Sequence, residues 1–188
     1  MDLTEIKQSS EEIFDGKIIH VVRDAVSLPN GDITYREIVR HPGGACILPL
    51  DEEMNVYFVR QFRYAYGQEL LELPAGKLDD LEDPYKAAIR EMKEEVGLMS
   101  DEVLFLGEMY SSPGFTDEVI SLYLAINVKQ TEQQPDDDEF IQVEKMYVGD
   151  AIQAAVNGDI KDAKTQLALL KTYLLLQNLE QQELEETV

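Results

Sequence analysis

Three glutamates stand at i, i+3 and i+4 in the run Arg90-Glu91-Met92-Lys93-Glu94-Glu95. On an α-helix, where each residue turns by about 100°, they fall within an arc of roughly 100° and share one face. Like charges four residues apart oppose a helix by about 0.2–0.5 kcal/mol, so Glu91 beside Glu95 adds nothing to stability unless a cation sits between them. Arg90 and Lys93 can offset part of the repulsion, but they are expected to project from other faces. Carboxylate oxygens alone suit a hard divalent ion, Mg²⁺ with Mn²⁺ as a substitute. The simpler reading of the three glutamates in isolation is a solvated acidic face.

Placing such a cluster requires a helix, and the flanking residues predict one over 84–96. Asp83 is suited to cap it, Pro84 to occupy its first position, and Gly97 to end it. Between them Tyr85, Ala88, Ile89, Met92 and Val96 recur at helical spacing, with the carboxylates expected beside this apolar stripe rather than on it. Upstream, two strands within Lys17–Arg40 meet at Asn30-Gly31, a dipeptide that favours hairpin turns. Gly44–Leu50, Asn55–Phe62 and Glu69–Leu73 read as further strands, as do 104–110, 119–128 and 140–148. Two more helices are expected over 149–157 and 162–179, followed by a tail, EQQELEE, that should fray.

Composition limits the partners. The 188 residues carry 38 acidic and 16 basic side chains, a net charge of −22. That balance argues against nucleic acid and against an anionic membrane surface, since both are bound through Lys and Arg. A nucleotide diphosphate is also anionic and needs local neutralisation by a few arginines or by cations. With 44% hydrophobic and 29% charged residues, a packed fold is expected. Cys46, the single cysteine, excludes an internal disulfide and lies in an apolar run where a buried, inert thiol is expected. His20 and His41 are too few and too far apart to suggest a metal cluster. The polar, acidic N-terminal stretch and the absence of any apolar run of about 18 residues point to the cytoplasm.

The frame around the glutamates carries more information than the glutamates themselves. It reads Gly76, five residues, Glu82, seven residues, then Arg90-Glu91-Met92-Lys93-Glu94-Glu95-Val96-Gly97-Leu98. All nine constrained positions of the Nudix box are matched within 23 residues, so the chain resembles the Nudix hydrolase superfamily. The resemblance implies an α/β fold, a mixed β-sheet sandwiched between α-helices over 43–188, preceded by a small antiparallel β element over 1–42. It implies Glu91, Glu94 and Glu95 as metal ligands, with the Ala75 carbonyl brought near by a sharp turn at Gly76. Arg90 is expected to pair with Glu82 and, with Gly76 and Gly97, to support the site. The ion would neutralise the diphosphate, orient it and acidify the attacking water.

Substrate must be read outside the box. Gln61-Phe62-Arg63, the run Glu69 to Gly76 and Ser111 to Glu118 are informative, and Pro113, sixteen residues past Gly97, resembles the proline of the ADP-ribose pyrophosphatase branch. That likeness spans nearly the whole chain, including Asp162-Ala163-Lys164-Thr165, and implies hydrolysis of ADP-ribose to AMP and ribose 5-phosphate by a homodimer. Arg63 is expected at a phosphate, with Arg36, Pro113 and Gly114 as further substrate contacts and Arg40 an even choice. In similar enzymes an acidic loop supplies the general base. Glu139 is preferred here over Asp137, Glu139 as an added metal ligand too, while Glu94 serves the metal and catalysis together. Phe62, Tyr64, Tyr66 and Phe115 read as packing residues before adenine contacts. The alternatives are another nucleoside diphosphate sugar, such as GDP-mannose, or a nucleotide-sugar sensor that does not hydrolyse.

Overall fold

The computed structural model describes residues 2–134 and 140–186. The chain divides into two compact units, Met1–Gly43 with Tyr110–Val119, and Gly44–Met109 with Ile120–Val188. In the first, β1 (Ile6–Asp15), β2 (His20–Ser27) and β3 (Ile33–Arg40) form an antiparallel sheet in that order. The turn between β2 and β3 forms at the expected dipeptide: Gly31 has φ +89 and donates its N–H to the Leu28 carbonyl. Strand β1 was not legible in the polar N-terminal stretch. Every one of its residues is exposed, so no buried alternation marks it, and the ladder to β2 with two register shifts defines it. The 110–119 segment joins this unit through Val39, which donates its N–H to the Phe115 carbonyl at 2.7 Å and bridges Thr116.

The second unit is built around β4 (Gly44–Leu50), which is buried along its whole length. Successive side chains of a strand face opposite ways, so a strand buried on both faces must be continuously apolar. Ala45 and Ile47 enter one core; Cys46, Leu48 and Leu50 enter the other. Around it lie β5 (Asn55–Arg63), a single 3₁₀ turn at Tyr64–Tyr66, β6 (Gln68–Glu72) and β7 (Ala75–Lys77). Then come α1 (Pro84–Val96), β8 (Leu98–Met99), β9 (Glu102–Tyr110), β10 (Val119–Ile126), β11 (Lys129–Gln130), β12 (Ile141–Tyr147), α2 (Val148–Asn157) and α3 (Ala163–Glu186). The main sheet runs β12-β5-β4-β10-β9, with β6 on β5 and β7 on β4. It is mixed: β4 and β10 are parallel, while β12 and β5 are antiparallel.

Helix α1 covers one face of this sheet through Ala87, Ala88, Met92 and Val96 against Ala45, Ile47, Val59 and Tyr123. Helices α2 and α3 cover the other, with Ala151, Ala155, Ala168 and Leu169 against Leu48, Phe58, Leu122 and Leu124. Burying one such Leu or Phe side chain contributes about 1.5–3 kcal/mol, so these two layers fix where α1 can lie. Contrary to the expected fraying, α3 continues through the polar tail to Glu186. Among the described residues no helix is long and apolar enough to cross a membrane.

Candidate metal and diphosphate site

Helix α1 begins where its cap dictates. The Asp83 side chain accepts from the backbone N–H groups of Tyr85 and Lys86, and Pro84 occupies the first turn. It ends at Gly97, whose φ of +63 is the left-handed conformation that glycine adopts without a Cβ penalty. This places the three glutamates differently from expectation. Glu91 and Glu95 lie on the buried face with Ala88 and Met92, at 8% and 2% exposure, while Glu94 is half-buried. An amphipathic pattern reads a carboxylate as solvent-facing, but here the start of β7, Ala75 and Gly76, lies against that edge of the helix.

Arg90 also departs from expectation, because it reaches the acidic cluster rather than projecting away from it. Its guanidinium lies bidentate on Glu82, with both contacts at 3.0 Å, and Nη1 donates to Glu91 at 2.8 Å and to Glu94 at 2.9 Å. Glu82 first, then Glu91 and Glu94, hold Arg90 firmly protonated, and Arg90 in turn lowers the Glu82 pKa. The long side chain bends back along the helix, which is how i and i+4 partners meet. Among the described residues no three His, Cys, Asp or Glu side chains form a closed ligand set. Arg90 is a cation that both Glu91 and Glu94 engage.

The loop before the helix explains Gly76. Its φ is not positive, so the sharp-turn rationale does not apply; the reason is space. A Cβ on Gly76 would stand 1.8 Å from Glu91 Oε1. Next to it, the Ala75 N–H donates to Glu95 Oε2 at 2.9 Å. Backbone of residues 75–76 and the carboxylates of Glu91 and Glu95 therefore meet directly, and it is the carboxylate oxygens of this set that suit a hard divalent ion.

Arg63 forms a bidentate pair with Glu72, at 2.6 and 2.7 Å, and that carboxylate keeps the guanidinium charged. Glu72 is itself buried at 1% exposure and also receives Lys164 Nζ, which in turn contacts Asp162 at 2.9 Å. Burial pushes the Glu72 carboxyl up, but Arg63 and Lys164 outweigh it and bring its pKa to about 2. The likeness over Asp162–Thr165 pointed at this region without naming Glu72 or Lys164 as partners. A glutamate within Leu71-Glu72-Leu73 and a helix-opening lysine, 92 residues apart, carry no local signal that they meet.

Beyond Gly97 a strap packs on the helix end. Thr131 N–H donates to the Gly97 carbonyl, Gln133 Nε2 to the Glu95 carbonyl and Gln134 N–H to the Glu94 carbonyl. These are carbonyls that a helix end leaves without intrahelical partners. Asp137 and Glu139 lie outside the described residues. Arg36, Pro113 and Gly114 belong to the first unit: Arg36 forms a bidentate pair with Glu5, and the Pro113 turn is closed by N–H donation from Phe115 to Ser112. Arg40 pairs with Asp117. Phe62, Tyr64, Tyr66 and Phe115, expected as core or loop packing residues, are all exposed, so none of them belongs to the core. Cys46 is fully buried and burial pushes its thiol far up, as expected of an inert cysteine.

ADP-ribose pyrophosphatase of Bacillus subtilis (strain 168) is 37% identical over 163 residues, covering 86% of this chain and 88% of its own. Methanol dehydrogenase activator of Bacillus methanolicus is 38% identical over 170 residues, with 89% and 91% covered. A solved structure described as an ADP compounds hydrolase superposes with a TM-score of 0.83 over 95% of this chain and 97% of the other; at 18% identity this shows the shared fold. A sequence model of the NUDIX domain matches residues 40–167, a span that holds β4, the whole 76–98 frame and the sheet that presents it, and on that match the chain belongs to the Nudix hydrolase family.

Proposed function

We propose that the protein hydrolyses the diphosphate bond of ADP-ribose, with Mg²⁺ and with Mn²⁺ as a substitute, to AMP and ribose 5-phosphate. The observation that carries the reading is the meeting of Glu91 and Glu95 with the Ala75–Gly76 backbone beside the Arg90–Glu82 pair. The ion would be held by Glu91, Glu94 and Glu95, with the Ala75 carbonyl and Glu139 as further ligands. When bound, it supplies neutralisation of the diphosphate charge and polarises the P–O bond that breaks.

The chain's own residues do the rest. Arg90 orients Glu91 and Glu94, and Glu82 anchors Arg90. Arg63 is assigned to a phosphate oxygen, for which its planar fork is suited; Arg36, Pro113 and Gly114 are assigned to the substrate on the resemblance. Glu139, ahead of Asp137, takes the proton of the attacking water, whose oxygen bonds to phosphorus while the bridging P–O bond breaks. We also infer a homodimer, supported by the exposed strand β1, and work in the cytoplasm, where a single buried thiol suits a reducing environment.

The test is release of AMP from ADP-ribose with Mg²⁺, alongside GDP-mannose and ADP-glucose, for the natural chain and for Glu95→Gln. AMP release preferred over the other sugars and reduced at least about 100-fold in the variant is expected. Preference for GDP-mannose would keep the mechanism and replace the substrate. Tight binding of a sugar nucleotide without turnover would replace hydrolysis with sensing, an outcome that the relative named as an activator keeps in view.

A further inference from the structure

The network around Glu72 holds three charges largely out of water, Glu72, Lys164 and Asp162, with the half-exposed Arg63 at its rim, where an apolar cluster would serve stability as well or better. Taking ion pairs out of water costs more than their attraction returns unless geometry is excellent, so a buried network is weak evidence for stability alone. Lys164 is its hub. The Lys164 side chain is 11% exposed, Glu72 2% and Asp162 16%. Asp162 also accepts from Thr165 N–H and Oγ1, which ties Lys164 to the first turn of α3.

What the network touches is a run of consecutive anchors leading to the metal carboxylates. After Glu72, the Leu73 N–H donates to Thr165 Oγ1 at 2.8 Å. The Pro74 carbonyl accepts from Ile47 N–H on β4 at 3.0 Å. Ala75 N–H then donates to Glu95, and Gly76 lies against Glu91. Five residues in succession are thus fixed, Glu72 and Leu73 from α3 and Pro74 to Gly76 from β4, the last two through the β7–β4 ladder, before they abut α1. Neutralising Glu72 from the α3 side also leaves Arg63 as its second cation rather than its only one.

We propose that Lys164 is a positioning residue, which pins the Glu72–Gly76 segment from α3 and thereby sets the Ala75 and Gly76 backbone against Glu95 and Glu91. Its link to catalysis rests on the proposed metal-dependent hydrolysis. Without the ammonium, Glu72 draws Arg63 inward and the segment keeps only the Leu73–Thr165 bond to α3, so the carboxylate edge of α1 loosens while the sheet and both cores stay.

Three chains separate this from a general loss of stability: Lys164→Met, the charge-balanced Glu72→Met/Lys164→Met, and Lys171→Met. Lys171 lies farther along α3, donates to the Leu106 carbonyl and has no part in the network, so it serves as the control for an α3 lysine lost. Amide exchange over residues 73–76, binding of Mn²⁺ alone followed by its free-ion resonance signal, and kcat against KM are read for each. Lys164→Met should speed exchange over 73–76 and weaken Mn²⁺ binding at least fivefold, with the loss in kcat exceeding any change in KM, while Lys171→Met leaves the three near natural values. The double variant should regain thermal stability without regaining Mn²⁺ affinity. Recovery of affinity together with stability, or equal behaviour of the two lysine variants, overturns the inference. A natural chain that neither binds Mn²⁺ nor turns over substrate overturns the proposed function instead, and the catalytic role of Lys164 with it.

Discussion

Gly76 and Glu72 show how single residues in this protein carry demands that their side-chain type alone does not announce. Adding one carbon at Gly76 forces either the 75–77 backbone or the Glu91 carboxylate to move, because the two would overlap at 1.8 Å. Gly76→Ala should therefore cost about 1–3 kcal/mol in urea denaturation, as overpacking does, and lower turnover at least tenfold. An unchanged kcat would show that Glu91 can shift without consequence. For Glu72 the sign follows from its partners. Its ordinary value of 4.5 falls to about 2 in the fold, so its contribution is fully present above about pH 4.5 and is lost as pH drops toward 2. That contribution is on the order of 3 kcal/mol. The stability gap between the natural chain and Glu72→Gln, measured by denaturant midpoints, should close across that window; a gap that stays constant to pH 2.5 would refute the assignment.

At the scale of elements, the end of α1 is held twice, by its own left-handed glycine and by the 130–134 strap. The two contributions can be separated with a second glycine. Gly158 ends α2 with φ +82 and has no atom within 4 Å of a Cβ position, whereas Gly97 has φ +63 and Gln133 backbone at 3.0 Å. Gly158→Ala should cost only the left-handed strain, about 1 kcal/mol. Gly97→Ala should cost more, by roughly another 1 kcal/mol, and should weaken activity because Glu94 and Glu95 lend their carbonyls to the same strap. Equal losses at the two sites in thermal unfolding would mean that the strap yields freely.

For the whole molecule, the antiparallel sheet of the first unit exposes Ile6, Ile13, Phe14 and Tyr35, and the turn between β1 and β2 exposes Ile18 and Ile19. Strand β1 has both faces in solvent, and a long exposed edge strand that carries Ile6, Ile13 and Phe14 invites association unless something covers it. A homodimer that covers this sheet should sediment at twice the 21.4 kDa chain mass at micromolar concentration. Replacing Ile13 and Phe14 with Asp should yield the monomer with its second unit still folded; a monomer before any substitution would remove the dimer from the reading.

Much of this protein was determined by local sequence. The caps of α1, the hairpin at Asn30-Gly31, the doubly buried β4 and the 76–98 frame all rest on short-range rules of spacing, turn chemistry and alternation. Those rules act within a few residues, so they survive without knowledge of what packs nearby. Burial of Glu91 and Glu95, the bend of Arg90 onto them, the spatial reason for Gly76 and the union of Glu72 with Lys164 were decided only by tertiary structure. Each depends on the arrival of a second element: the start of β7 against α1, 20 residues away at Ala75 and Glu95, or the first turn of α3 at Glu72, 92 residues away. A carboxylate's surroundings, and hence its charge and its partners, are set by that arrival and not by its neighbours in sequence.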